Sequence, residues 1–152
     1  MTRLTLRKAR PADVPAIEKL LSAEWLPPMQ IAEFLDSFWV VEAGGEVAGC
    51  AGIEVYGDAA VLRSVVVAPD LRGSGEGDRL VQTALGHAQQ NGARRVYLFT
   101  MNAAPFFARY GFQAVAMDSF EPAARQSWQF VGLSQMPDIA QRLTPMRLEF
   151  PS

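Results

Sequence analysis

Arg63-Ser-Val-Val-Val-Ala-Pro-Asp-Leu-Arg-Gly-Ser-Gly-Glu-Gly-Asp-Arg-Leu80 decides the fold. Ser64 to Ala68 is dominated by valine and reads as a strand, which Pro69-Asp70 ends. Arg72 to Gly77 is a loop with a glycine at every second position. From Asp78 onward the apolar residues Leu80, Val81, Ala84, Leu85 and Ala88 share one helical face. Glycines at this spacing let consecutive backbone N–H groups turn toward one anion, because they tolerate positive φ and carry no Cβ. A helix N-terminus behind the loop adds partial positive charge. Strand, glycine loop and helix together describe a phosphate cradle.

Two familiar nucleotide motifs do not fit. A P-loop requires Lys and then Ser/Thr after its last glycine, where this chain has Asp78-Arg79. A dinucleotide fingerprint places its third glycine three residues after the second, whereas Gly73, Gly75 and Gly77 alternate.

Working outward, Leu4–Arg7 alternates as a first strand. Asp13 is placed to cap a helix carrying Val14, Ile17, Leu20 and Leu21. Ile31 to Phe38 is expected as a short helix. Strands at 38–43, 47–56 and 59–68 are separated by the tight turns Gly44-Gly45 and Gly57-Asp58, an antiparallel meander. The glycine-loop helix stops near Asn91-Gly92. Arg95–Thr100 follows as a strand reached by a crossover, hence parallel to the one before the loop. A short helix at 105–110, a strand at 112–116, an irregular or partly helical stretch at 117–137 and a closing strand at 143–150 complete the chain. The expected fold is α/β: a mixed, mostly antiparallel central sheet flanked by helices. Its splayed parallel pair leaves a slot for an extended ligand. One domain is expected over residues 1–152.

Composition narrows the function. The 152 residues are 49% hydrophobic, enough for one core, and the net charge of −2 provides no basic excess for nucleic acid. No apolar run is long enough for a bilayer, and the N-terminus does not read as a signal peptide, so a cytoplasmic protein without membrane contact is expected. One histidine, His87, and one cysteine, Cys50, make no zinc set, so no metal is expected. Cys50 reads as a small core residue and His87 as a residue on the helix surface.

The loop Arg72-Gly-Ser-Gly75-Glu-Gly77 resembles the acetyl-CoA signature of the GNAT N-acetyltransferase superfamily, Arg/Gln-x-x-Gly-x-Gly/Ala. Phe106-Phe-Ala-Arg-Tyr-Gly111-Phe112 resembles its second motif, Phe-Tyr-x-x-x-Gly-Phe, in the expected order and separation. The resemblance implies acetyl-CoA as cosubstrate, held in the slot. It places Arg72, Gly73, Ser74, Gly75, Glu76, Gly77 and Asp78 at the pyrophosphate. It places the backbone of Val65, Val66 and Val67 against the pantetheine amides, with Phe106 and Phe107 along the cofactor. A backbone N–H near Val65 or Val66 could polarise the thioester carbonyl. Many members carry a tyrosine that protonates the leaving thiolate where this chain has Phe107. A thiol of pKa about 8.5 leaves readily without one. Glu76, in place of the usual apolar loop residue, either faces solvent or weakens CoA binding, with Arg72 and Arg79 available to offset its charge.

The second-motif form, with Glu54-Val-Tyr-Gly-Asp-Ala-Ala-Val-Leu-Arg63-Ser64 and Arg125-Gln-Ser127-Trp-Gln-Phe130, resembles the short glutamate N-acetyltransferases and the arsenic-resistance-associated acetyltransferases. Leu133-Ser-Gln-Met-Pro137 departs from the Cys-Pro tail of the latter, so arsenic specificity is not implied.

Acyl transfer requires a neutral amine, and Glu54 is the candidate base, with a surface carboxylate as the competing reading. Arg63 has a planar fork suited to a substrate carboxylate, with a surface arginine as the alternative. Arg125 and Ser127 could add a second anion contact, and Trp25 and Trp128 either line an acceptor mouth or pack. The expected activity is transfer of acetyl to the α-amine of a small acidic amino acid by direct attack. The alternatives are a peptide or other amine as acceptor, or a non-catalytic acyl-CoA-binding regulator. The resemblance also implies a homodimer.

Overall fold

The computed structural model describes residues 3–26, 28 and 30–151. Among these, seven strands are hydrogen-bonded in one sheet: β1 (Leu4–Lys8), β2 (Phe38–Ala43), β3 (Glu46–Tyr56), β4 (Ala59–Val67), β5 (Arg95–Thr100), β6 (Gln113–Ala114) and β7 (Thr144–Glu149). Their order is β1-β2-β3-β4-β5-β7-β6. β4 and β5 are the parallel pair, Ala59–Val61 against Arg95–Tyr97, and β5 pairs antiparallel with β7. This is the mixed α/β sheet expected. The chain divides into two compact units, Met1–Ile53 with Leu62–His87, and Glu54–Val61 with Ala88–Ser152.

In the first unit, α1 (Val14–Ala23) buries Ile17 and Leu21, four residues apart and so on one face. They join Ile31, Phe38, Val40, Cys50 and Val66 in one core. Asp13 does not cap α1 through its side chain. Its carboxylate instead accepts from the Arg7 guanidinium at 2.7 and 2.9 Å and from the Arg10 amide at 2.7 Å, because a 3-10 turn at Pro11–Asp13 precedes the helix. Arg7 also reaches Glu42 on β2 at 2.8 Å. The Arg7 hydrogen bonds hold the Asp13 carboxyl below the ordinary range, against the opposing effect of burial. The expected helix at 31–38 is a kinked 3-10 segment, Ala32–Ser37, non-helical at Phe34. Phe38 faces Gly52 across the β2–β3 ladder, and its ring covers the glycine so closely that a Cβ there would lie 2.4 Å from it.

α2 (Glu76–Gln90) begins two residues before the expected Asp78. Glu76 and Asp78 thus occupy its first turn, where acidic residues suit the helix dipole. His87 meets Trp39 edge-on, ring centroids 5.0 Å apart, and is half-buried rather than a free surface residue. Burial, reinforced by Lys8, lowers its pKa.

In the second unit, β5 follows the expected bounds, while β6 keeps only two of the expected five residues. α3 (Ala104–Ala108) precedes it. The stretch 117–137 contains 3-10 turns at Met117–Ser119 and Ala124–Gln126, then α4 (Trp128–Ser134) and α5 (Pro137–Ala140). The Phe120 ring meets those of Tyr97, Phe99 and Phe130 at centroid distances of 4.4 to 5.4 Å, in a core with Ala59, Val61 and Ala124. The Tyr97 hydroxyl donates to Glu121 at 2.9 Å, and burial, before that bond, raises its pKa.

Candidate active site

β4 carries the residues that the sequence singled out, and it bends at Ser64, whose φ of +60° is left-handed. A non-glycine residue in this region is uncommon, and here it is pinned twice. Ser64 Oγ accepts from Arg63 Nε at 2.9 Å, and its carbonyl accepts from the Cys50 thiol at 3.2 Å. Burial pushes the Cys50 thiol up to about 12. At that value the sulfur holds its proton and acts as core and as a strut for the bend, not as a nucleophile.

Arg63 is buried, at 3% exposure, so the surface alternative is excluded. Its guanidinium lies 5.4 Å from the centre of the Phe38 ring, and Nη1 approaches the Gln30 carbonyl at 3.5 Å. The buried Phe38 that covers Gly52 therefore also supports the arginine. Val65 and Val67 are half-buried and Val66 is buried in the core.

After Val67 the chain turns through Pro69–Leu71 into the glycine loop. Gly73 and Gly75 have φ of +83° and +89°, and a Cβ at either would meet nothing within 4 Å. Arg72, Gly73, Ser74 and Gly75 are exposed, while Gly77 and Asp78 are half-buried in the first turn of α2. That turn has N–H groups with no intrahelical acceptor. The open left-handed glycines beside them fit a phosphate group: the concave backbone is exposed and no side chain fills it.

Of the two alternatives for Glu76, the solvent-facing carboxylate is not found. Glu76 is 5% exposed, and Arg79 Nη1 donates to both its oxygens, at 3.1 and 2.9 Å. Arg79 therefore offsets the Glu76 charge as expected, and Arg72 does not. Arg72 forms an ion pair with Glu24 at the end of α1, and its Nε donates to the Val67 carbonyl at 3.3 Å. The sequence pattern singled out neither Glu24 nor this pairing.

In the second unit Glu54 is fully buried, which rules out the surface-carboxylate alternative. The Tyr56 hydroxyl, two residues along β3, donates to Glu54 Oε1. The sequence reading did not single out Tyr56, although the period-two spacing Glu54-x-Tyr56 puts both on one face of a strand. Phe107 is buried, edge-on to Phe112 and Phe106; Tyr110 sits edge-on to Phe106 at 5.5 Å. Thr100 Oγ1 accepts from the Ala103 amide at 3.0 Å and shapes the entry to α3.

Arg125 and Ser127 have structural partners. Arg125 donates to the carbonyls of Phe120 and Asp118, both at 2.7 Å, and its guanidinium lies 5.6 Å from the Phe130 ring centre. Ser127 is buried and caps α4, accepting from the Phe130 amide at 3.1 Å. Trp128 is half-buried on α4, whereas Trp25 is 93% exposed, so packing does not explain it. Among the described residues no group of three or more His, Cys, Asp and Glu is placed to hold a metal, and no helix is long and apolar enough to cross a membrane.

Comparison with known proteins places this architecture. The family described as Acetyltransferase (GNAT) domain matches residues 35–114. An amino-acid acetyltransferase of Mycobacterium tuberculosis is 33% identical over 123 residues, 74% of this chain and 70% of the relative. An amino-acid acetyltransferase of Neisseria meningitidis is 25% identical over 138 residues, and there the match spans only 32% of the relative. A crystal structure of a Mycobacterium tuberculosis protein in complex with CoA superposes with a TM-score of 0.79 at 27% identity, covering 97% of this chain and 99% of that one. The N-acetylglutamate synthase of Neisseria gonorrhoeae, solved with coenzyme A and N-acetyl-glutamate, shares the fold at a TM-score of 0.80 and 19% identity, over 100% of this chain and 36% of its own. The glycine loop, the sheet order and these matches agree: the chain belongs to the GNAT acetyltransferase family.

Proposed function

We propose that this chain transfers the acetyl group of acetyl-CoA to the α-amine of a small acidic amino acid. The buried Arg63 guanidinium, beside the Phe38 ring, carries the substrate class, since its planar fork suits a carboxylate. The amino-acid acetyltransferase of Mycobacterium tuberculosis supports an amino-acid acceptor. In the first unit, residues 72–78 receive the pyrophosphate and the backbone of Val65–Val67 receives the pantetheine amides, with an N–H near Val65 or Val66 polarising the thioester. In the second unit, Phe106 and Phe107 line the cofactor and Glu54 accepts the proton of the ammonium group. The neutral nitrogen attacks the thioester carbonyl, the C–S bond breaks, and CoA leaves as thiolate. The attack is direct, with no acyl-enzyme, a reading supported by the full burial of Cys50. Arg125 and Ser127, both occupied structurally, contribute a second anion contact only through what their partners leave open. The proposal includes a cytoplasmic homodimer, which sedimentation and cell fractionation test.

CoA-thiol release from acetyl-CoA across a panel of free amino acids, with glutamate, glutamine and aspartate among them, is the test. Selective turnover of an acidic amino acid that is lost in Arg63→Ala is the expected result. A flat panel overturns the acceptor and moves the weight to peptide amines. Tight CoA binding without turnover of any amine points instead to a regulatory binding module.

A further inference from the structure

Tyr56 has a phenol directed at the buried carboxylate and no role in the reaction as described so far. It lies two residues beyond Glu54 on β3, so both side chains leave the same face. Its ring packs against the cluster of Ala59, Val61, Tyr97, Phe120 and Ala124. The turn that follows, Gly57-Asp58, is anchored by the Arg94 and Arg95 amides, which donate to the Asp58 carbonyl at 2.6 and 3.3 Å. The phenol thus comes from a fixed strand end and donates to Glu54 Oε1. A fully buried carboxylate needs hydrogen-bond donors, and the Tyr56 phenol supplies one.

We propose that Tyr56 is the positioning residue for Glu54, fixing the plane of the carboxylate that takes up the substrate proton. This rests on the assignment of Glu54 as the base. In the step it serves, an N–H bond of the ammonium breaks and an O–H bond forms on Glu54. The amine then attacks, and its second proton leaves with the thiolate or to solvent. Tyr56 keeps its own proton throughout.

The test is a double-mutant cycle on the full chain, with acetyl-CoA and the most active amino acid of the panel. Glu54→Gln is expected to lower kcat by about a hundredfold or more, the scale of a general base. Tyr56→Phe is expected to lower kcat about tenfold, with KM for acetyl-CoA unchanged and near-UV circular dichroism intact. In the Glu54→Gln background Tyr56→Phe should have no further effect on kcat, because its action passes through that carboxylate. A Glu54→Gln enzyme as active as wild type overturns the base and Tyr56 with it. An impaired Glu54→Gln with a fully active Tyr56→Phe, or with losses that simply multiply, overturns the Tyr56 inference and leaves the base standing. A structural role alone would move stability and both KM values without that non-additivity.

Discussion

Gly52 is the position where one methyl group should disturb both stability and site. An added Cβ would lie 2.4, 2.5 and 2.8 Å from three atoms of the Phe38 ring, against ordinary contacts of 3.4 Å and more. The ring is fully buried in the core with Ile17, Leu21 and Val40, so it must be displaced by about an ångström into packed neighbours. Overpacking of this kind costs about 1–3 kcal/mol. With a urea m-value of about 2 kcal/mol per molar for a chain of this size, the Gly52→Ala midpoint should fall by about 0.5–1.5 M. The control is Gly86→Ala. Gly86 lies inside α2, a Cβ there meets nothing within 4 Å, and its substitution should stabilise by about 0.5–1 kcal/mol through helix propensity. The same methyl group thus has opposite signs at two glycines. Phe38 also lies under the Arg63 guanidinium. Gly52→Ala should therefore raise KM for the acceptor more than KM for acetyl-CoA, and Phe38→Leu should relieve both effects. Equal urea midpoints for Gly52→Ala and wild type would refute the close ring–glycine contact and the support of Arg63 derived from it.

Asp13→Asn should cost about 1–3 kcal/mol at pH 7, the scale of hydrogen bonds to a charged group. The folded Asp13 pKa is depressed by Arg7, so this contribution is complete above the unfolded carboxylate value and disappears as pH falls through the depressed folded one. Urea midpoints of wild type and Asp13→Asn should converge on acidification, and a constant gap down to pH 2 would contradict the assignment. Cys50 should resist alkylation by iodoacetamide in the native state at pH 8 and react fully in urea, as followed by mass spectrometry. Glu24→Gln should tighten CoA binding twofold to fivefold in calorimetry, the release of a competing surface ion pair worth about 0.5–1 kcal/mol. Unchanged or weaker binding would show that Arg72 does not serve the anion. Tyr110→Phe should keep turnover within a few-fold of wild type, since its ring packs edge-on to Phe106.

Where local sequence carries the whole signal, the fold was legible. β5 lies between Gly92 and the turn after Thr100, and its bounds follow from an apolar run with a clear stop on either side. The glycine loop was legible in type but not in extent. Glu76 enters the helix early because Arg79, one turn on, neutralises its side chain within the helix itself. The 31–38 segment was misjudged because its apolar residues answer to the core around Phe38 and Ile31 rather than to a helical period. Burial was the least legible property. Glu54 and Arg63 each read equally well as surface charges, since sequence pattern alone puts charged residues outside. Their partners, a phenol at i+2 and a hydroxyl at i+1, become visible only once the strand face and the bend at Ser64 are known.

Those partners share a feature with a physical consequence. Each buried charge of the proposed chemistry has a partner on its own element: Glu54 has Tyr56, Glu76 has Arg79, and Arg63 has Ser64 besides Gln30 and Phe38 beyond its strand. A charge fixed by its own strand or helix is oriented as soon as that element forms, and it loses little further entropy when a ligand arrives. The network of Arg7, Asp13 and Glu42 differs in kind, since it ties β1, the turn before α1 and β2 across up to 35 residues of sequence. Protonating Asp13 loosens the join between elements and so acts on global stability. Removing Tyr56 leaves the elements joined and acts on one carboxylate. Acid should therefore unfold the chain through the first network, whereas loss of Tyr56 should slow catalysis at neutral pH in a protein that remains folded. If Tyr56→Phe instead lowered the urea midpoint as much as Asp13→Asn while sparing kcat, this division between local orientation and long-range stability would be wrong.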